Sequence, residues 1–254
     1  MTKKIAIIIP VRLASTRLPN KPLANILGKT MIQRVYEKAV AADLGDVYIA
    51  CDGQEIANEA RKFSAKTIIT NPDLPSGTDR IYAALGKISQ DYEYIMNLQG
   101  DLPNIDPEVL RLTALAAFEN KGDITSAASL TYDLHEVNDP NVVKIAIAYN
   151  DEKYGKDCGR ALYFSRLPIP YSQNQEGRRY YHHIGIYIFK KEALAKFVTL
   201  KPTDMGQRES LEQLRALEND MKIIVRIVKT NPLSVDTKQD LENVIKQIQA
   251  QNDE

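Results

Sequence analysis

The stretch Ile7-Ile8-Ile9-Pro10-Val11-Arg12-Leu13-Ala14-Ser15-Thr16-Arg17-Leu18-Pro19-Asn20-Lys21-Pro22 decides how this 254-residue chain is read. It opens inside a run of apolar, mostly β-branched residues, 5–9, short enough for a buried strand. Pro10 is expected to stop that strand, because it has no N–H to give a sheet ladder. Arg12, Ser15, Thr16, Arg17 and Lys21 follow in a loop punctuated by Pro19 and Pro22. Beyond the loop, Met31, Ile32, Val35, Tyr36, Ala39 and Val40 recur at helical spacing. A strand that feeds a cationic loop and then a helix is how an α/β protein receives a polyphosphate, at the carboxyl ends of its strands. Charge alone fits a solvated basic loop just as well. The density of proline and hydroxyl residues around the cations is what points to a built site.

Two familiar phosphate motifs fail here. Gly28-Lys29-Thr30 looks like the tail of a P-loop, but the first glycine of that pattern falls on Leu23. No two glycines are separated by a single residue, so the dinucleotide Gly-x-Gly fingerprint is missing too. The expected cradle is therefore made of side-chain cations.

Composition narrows the function classes. Lysine plus arginine (33) balance aspartate plus glutamate (33), so there is no global cationic field of the kind nucleic-acid binding uses. Cys51 and Cys158 are too few for a disulfide framework and read as reduced cytosolic thiols. The apolar run after Met-Thr-Lys-Lys is too short for a signal peptide, and none approaches membrane-spanning length. The expectation is a soluble cytoplasmic protein that neither binds nucleic acid nor inserts into a membrane.

Strand and helix patterns alternate through the first half, the signature of a parallel sheet covered by helices. Strands are expected at 46–51, 66–70 and 94–98, with helices to about residue 63, at 76–88 and from Pro107, capped by Asp106. Strands at 124–130, 142–148, 161–164 and 183–189 follow with few helices between them. The polar stretch 172–179 reads as an exposed loop, and 150–159 as a turn region. With no long linker, low-complexity tract or repeat, one α/β domain spanning 1–254 is expected.

Several blocks carry a resemblance. The first is residues 9–23, from Ile-Pro-Val-Arg to Lys-Pro-Leu. Then come Ser76-Gly77-Thr78-Asp79-Arg80, Asn97-Leu98-Gln99-Gly100-Asp101, Ala161-Leu162-Tyr163-Phe164-Ser165-Arg166 and His183-Ile184-Gly185-Ile186-Tyr187. Leu211-Glu212-Gln213-Leu214-Arg215-Ala216-Leu217-Glu218 and Val235-Asp236-Thr237 complete the series. In these blocks, met in family order, the chain resembles the 3-deoxy-manno-octulosonate (KDO) cytidylyltransferases, the CMP-KDO synthetases of lipopolysaccharide assembly. The resemblance implies a nucleotidyltransferase-type, Rossmann-like fold: a mostly parallel sheet with flanking helices and an inserted β element for dimer contact. It implies transfer of CMP from CTP to KDO with release of pyrophosphate, Mg2+ as cofactor, and a homodimer.

Displacing pyrophosphate gathers charge on the leaving oxygens, so the site needs cations and a divalent metal across the phosphates. By resemblance, Arg12 and Lys21 bind the triphosphate with Ser15 assisting, and Arg17 reads more simply as a structural ion-pair member. Asp101 ends a strand and is the expected catalytic metal ligand, although a Gly-Asp pair also reads as an ordinary turn. Asp236 joins it by resemblance; the rival reading, a helix cap, is weakened because Thr237 with Asp240 fills that role unaided. For the sugar acid, Arg80 and Arg166 are the candidate cations, and Gln99, His183, Tyr187, Glu212 and Gln213 supply donors and acceptors. No zinc motif and no Gly-x-Ser-x-Gly elbow occurs, so no dedicated protein base is assigned.

Three positions depart from the family pattern. Asn20 stands for glycine, and asparagine tolerates a left-handed backbone. Leu102 stands for glutamate, which puts a second carboxylate beside Asp101 in doubt, and Ser234 stands for glycine. Two rivals remain: a cytidylyltransferase for a related acid, and a silent nucleotide-binding module. Residues 161–166 and 211–218 argue against a sialic acid, whereas the 8-amino form of KDO is left open. The intact set of Arg12, Lys21, Asp101 and Asp236 argues against a silent module.

Overall fold

The computed structural model describes residues 5–15, 17–173 and 178–252. They fall into two compact units: residues up to Leu110 together with those from Pro232 onward, and residues Arg111–Asn231.

The first unit is built on β1 (Ile5–Val11), every residue of which is buried. After the cationic loop come a two-residue hairpin, β2 (Asn25–Ile26) and β3 (Lys29–Thr30), and helix α1 (Met31–Ala41). Then β4 (Gly45–Cys51), α2 (Gln54–Arg61), β5 (Lys66–Ile69), α3 (Gly77–Leu85) and β6 (Tyr94–Leu98) alternate as expected, and α4 (Pro107–Glu119) follows, its residues from Arg111 on belonging to the second unit. The strands lie in the order β5-β4-β1-β6, and the β1–β4, β1–β6 and β4–β5 pairs are parallel. Parallel strands covered on both faces need unbroken apolar sequence, which residues 5–9 supply.

Pro10 does not stop β1. The strand runs on to Val11, with Pro10 opposite Ala50 of β4. The pairing with β6 has already ended at Ile8–Asn97. The Pro10 carbonyl lies toward Gly100, so its ring nitrogen faces the side where no ladder bond is being made. A proline costs a strand nothing at a position with no donor to provide.

The second unit holds β7 (Ile124–Thr131), α5 (Leu134–Asn138), β8 (Lys144–Tyr149), α6 (Asp151–Tyr154), β9 (Cys158–Ser165) and β10 (Tyr180–Lys190). It continues through α7 (Lys191–Thr199), α8 (Asp204–Glu209), α9 (Leu214–Leu217) and β11 (Ile223–Val228). Its strands are ordered β10-β7-β11-β9-β8, with β7–β11 parallel and the other neighbours antiparallel. The β-rich character expected of the second half is present, and the parallel pattern belongs to the first. Within the loop read at 172–179, residues 174–177 lie outside those described.

The chain returns to the first unit at Pro232 and ends in α10 (Lys238–Asn252). Val244 and Ile248 of α10 pack with Ile26, Met31 and Val235, and Leu18 of the cationic loop lies against the same cluster. One end of the loop is thus anchored by apolar burial. Asn20 has φ 54° and ψ 32°, the left-handed turn anticipated for it, and Ser234 has no such backbone. The turn is closed by Lys21 N–H to Leu18 O at 3.1 Å and Leu23 N–H to Asn20 O at 2.8 Å.

Candidate active site

A cavity of about 330 Å³ opens in the first unit where β1 and β6 end. Its walls are the cationic loop (Arg12, Ser15, Arg17, Lys21), the start of α3 (Ser76, Gly77, Arg80) and Gln99-Gly100-Asp101, with Asp236 beside them. The walls approach closely because Gly77 and Gly100 put no side chain against Pro10 and Val11. A Cβ on Gly100 would stand 2.8 Å from Val11 Cγ1, and one on Gly77 would stand 3.3 Å from Pro10 Cγ. Ser76 caps α3 by accepting from Asp79 N–H at 3.1 Å.

Lys21 is the centre of the charge arrangement. Its Nζ donates to Asp101 Oδ2 at 2.9 Å and to Asp236 Oδ1 at 3.1 Å, and its side chain is 18% exposed. Burial pulls the ammonium pKa down, but attraction to Asp101 and then Asp236 outweighs it, and the net shift is upward. Arg17 meets the other oxygen of Asp236 at 3.1 Å, the ion pair expected of it. The two aspartates are also tied through the backbone, Val235 N–H donating to Asp101 O at 3.0 Å. Asp236 is free to face the cavity because Thr237 and Asp240 cap α10 reciprocally: Asp240 N–H to Thr237 Oγ1 at 3.2 Å, Thr237 N–H to Asp240 Oδ2 at 2.8 Å.

Two carboxylates already share one cation, so their oxygens suit a hard divalent ion, which takes few protein ligands and fills the rest with phosphate and water. Leu102 is 5% exposed and adds no carboxylate. Among the described residues no cluster of three His, Cys, Asp or Glu side chains forms a rival metal site.

The remaining residues of this unit divide by what they touch. The Arg12 guanidinium is exposed and pairs with no other described residue, which leaves it free for an anion. Arg80 lines the cavity but is 2% exposed. It donates to Thr70 Oγ1 at 2.6 Å, Asn71 O at 3.3 Å and Pro72 O at 3.4 Å, so much of its capacity braces that loop. Gln99 donates to Asn97 Oδ1 at 3.2 Å, which fixes its amide at the cavity wall.

In the second unit, His183, Tyr187 and Phe164 form a ring cluster, with centroids 4.9 Å apart for His183–Phe164 and 5.5 Å for His183–Tyr187. The register of β10 slips between Ile184 and Tyr187, and Ser126 of β7 serves the irregularity by donating to Ile186 O at 2.8 Å. With its one proton spent, Ser126 accepts from His183 Nε2 at 3.0 Å, which leaves Nδ1 as an acceptor. Arg166 gives its guanidinium to backbone carbonyls of Glu209 (2.7 Å), Pro140 (2.8 Å) and Ser210 (3.4 Å). Glu212 pairs with Arg215 at 2.7 Å, and Gln213 is buried.

A family model described as Cytidylyltransferase matches residues 6–223. Over 244 residues the chain is 46% identical to the 3-deoxy-manno-octulosonate cytidylyltransferase of Brucella ovis, covering 95% of this chain and 94% of that protein. The chain belongs to the 3-deoxy-manno-octulosonate cytidylyltransferase family. The same-named protein of Parvibaculum lavamentivorans is 44% identical over 239 residues, covering 93% of this chain and 89% of that one. The solved structure of a CMP:2-keto-3-deoxy-manno-octonic acid synthetase complexed with CTP matches at a TM-score of 0.90 and 34% identity, covering 98% of this chain and 100% of that one.

In this family member, the structure gathers Arg12, Ser15, Lys21, Arg80, Gln99, Asp101 and Asp236 around one cavity. Arg166, His183, Tyr187, Glu212 and Gln213 lie in the second unit. Sequence reasoning missed the α3 N-terminus as a cavity wall, though Ser76-Gly77-Thr78 was legible as its cap. Asp52, which accepts the Leu13 N–H of the cationic loop, was not among the expected site residues.

Burial, and next His182, pushes the His183 pKa down to about 3 from 6.5. Between those values the unfolded chain binds a proton that the folded chain refuses, so stability is present above pH 6.5 and is lost as pH falls toward 3. The expected slope from this residue is about 1.4 kcal/mol per pH unit. Urea unfolding of wild type and His183→Gln across pH 4–6 should show the variant with the shallower dependence; parallel curves would contradict it.

Proposed function

We propose that this chain transfers CMP from CTP to the anomeric hydroxyl of KDO, giving CMP-KDO and pyrophosphate. The observation that carries the reading is the Lys21–Asp101–Asp236 cluster in a cavity walled by Arg12, in a chain of this family. The hydroxyl gives its proton to solvent water as its oxygen bonds to the α-phosphorus, the bond from that phosphorus to the bridging oxygen breaks, and pyrophosphate leaves with the electron pair. Arg12 and Lys21 neutralise the leaving oxygens, Arg12 through its planar fork and Lys21 as a point charge. Ser15 donates to the phosphates from the half-buried part of the loop. Asp101 and Asp236 hold magnesium, which when bound supplies Lewis acidity to the phosphates and lowers the pKa of the attacking hydroxyl. The sugar acid is assigned to Arg80, Gln99, Arg166, His183, Tyr187, Glu212 and Gln213, on the strength of their family-matching positions. The buried, neutral His183 and the Tyr187 hydroxyl fit recognition of sugar hydroxyls rather than of a charge.

The test is pyrophosphate release with CTP and magnesium against KDO, its 8-amino form and a sialic acid, repeated with UTP and ATP. KDO with CTP is expected to be turned over fastest. Equal turnover with UTP would overturn the base assignment, and a preference for sialic acid the sugar assignment.

A cytoplasmic homodimer is part of the same proposal. Among the described residues no helix is long and apolar enough to cross a membrane. Tyr132, Leu134, Leu162, Leu167 and Tyr171 of the second unit are 50–88% exposed, large apolar side chains of the kind a subunit contact would cover. Light scattering at micromolar concentration is expected to return twice the chain mass; a monomer mass would remove the dimer.

A further inference from the structure

Between Val11 and Leu18 the described residues of the cationic loop have few backbone hydrogen bonds. Among its described residues the backbone takes one hydrogen bond, Leu13 N–H to the carboxylate of Asp52, at 3.2 Å to Oδ1 and 3.1 Å to Oδ2. Asp52 immediately follows β4, and its neighbour Cys51 serves the opposite wall. The Cys51 carbonyl accepts from Thr70 N–H at 2.8 Å and from Thr70 Oγ1 at 3.0 Å, and Thr70 Oγ1 in turn accepts from Arg80 at 2.6 Å. Two consecutive residues at one strand end therefore fasten both walls of the cavity: Asp52 the loop carrying Arg12, Cys51 the arginine of α3.

Asp52 also bears electrostatically on Arg80. Burial lowers the Arg80 pKa most, Asp52 opposes that, and Arg12 adds to it. The carboxylate thus acts on the same guanidinium, that of Arg80, that Arg12 repels. A surface turn aspartate with no task would face water; this one is half-buried and turned inward.

We infer that Asp52 is a positioning residue for nucleotide binding: by accepting the Leu13 N–H it sets the loop in the conformation that presents Arg12 and Ser15 to the triphosphate. The inference rests on the reading of that loop as the phosphate site. A preorganised loop lowers the ordering cost of binding, so its loss falls on affinity for CTP rather than on the chemical step.

The experiment compares Asp52→Ala, Asp52→Asn and Asp52→Ser with wild type, and with Arg12→Ala as control. Calorimetric CTP affinity, KM for CTP, kcat and melting temperature are measured on each. Asp52→Ala is expected to weaken CTP about tenfold to a hundredfold, the scale of a charge-assisted hydrogen bond, with a much smaller change in kcat. Asp52→Asn retains an acceptor at the same reach and is expected to restore most of the affinity, which a requirement for charge would not allow. If Asp52→Ala does not fold, Asp52→Ser, whose hydroxyl stops short of Leu13, takes its place. Wild-type CTP affinity in the alanine or serine variant overturns the inference, as does an asparagine variant as impaired as alanine. A silent Arg12→Ala would instead sink the phosphate-site reading itself.

Discussion

Asp101→Asn is expected to lose turnover by on the order of a hundredfold or more, the scale of removing one electrostatic contact to developing charge, while the protein melts near the wild-type temperature. The geometry allows that separation. Asparagine keeps the shape of the side chain and can still accept from Lys21 Nζ, which now lies 2.9 Å from the carboxylate. The backbone tie from Val235 N–H to the residue 101 carbonyl does not depend on the side chain. Asp236→Asn should behave likewise, because Thr237 and Asp240 cap the last helix between themselves. Were Asp236 only a cap, its loss would cost about 1 kcal/mol of stability and spare the rate. Two residues acting through one ion should not be additive, so the double variant is expected to be scarcely slower than either single one. Rates and melting temperatures on the three variants decide it. A fully active Asp236→Asn protein would take that residue out of the site and leave Asp101 to hold the metal alone.

Local pattern carried much of the first unit. The apolar run 5–9, the helical spacing after Met31 and the helix expected at 76–88 each became the element they suggested, because parallel strands and amphipathic helices are specified by short-range sequence. Asn20 and the Thr237–Asp240 cap were legible for the same reason: left-handed backbone and capping are properties of a few consecutive residues. Pro10 was misread because the cost of a proline depends on which side of the strand is still paired, and that is a fact about β6. In the second unit β11 was overlooked, although Ile-Ile-Val-Arg-Ile-Val is a strong strand signal, as was α7 at Lys191–Thr199. The site was legible as a list of charged residues and not as an arrangement. Sequence named Arg80 and Arg166 as cations for a carboxylate, but their guanidinium groups are largely given to Thr70 and to backbone carbonyls. Which partner a long charged side chain takes is settled by contacts distant in sequence, such as the 215 positions between Lys21 and Asp236.

Lys21→Met is expected to separate two roles that the arrangement joins. The Lys21 ammonium lies 2.9 Å from one carboxylate and 3.1 Å from the other, the place a divalent ion would take between the same oxygens. If the proposed metal binds these oxygens, lysine and metal would compete for Asp101 and Asp236 in the nucleotide-free protein. A triphosphate, by offering the ammonium other oxygens, would release the carboxylates. Methionine keeps the apolar stem and removes the charge, so two opposite effects follow. Turnover should fall by about a hundredfold or more, since a cation facing the leaving oxygens is lost. Binding of Mn2+ to the nucleotide-free protein should tighten, because the carboxylates have lost their internal counter-ion. Electron paramagnetic resonance of free Mn2+ reads the second effect without any catalysis, and Lys21→Met with Asp101→Asn supplies the control. If the single variant binds Mn2+ no better than wild type, lysine and metal do not compete. If the double variant binds Mn2+ as well as Lys21→Met alone, the ion is held elsewhere than on Asp101.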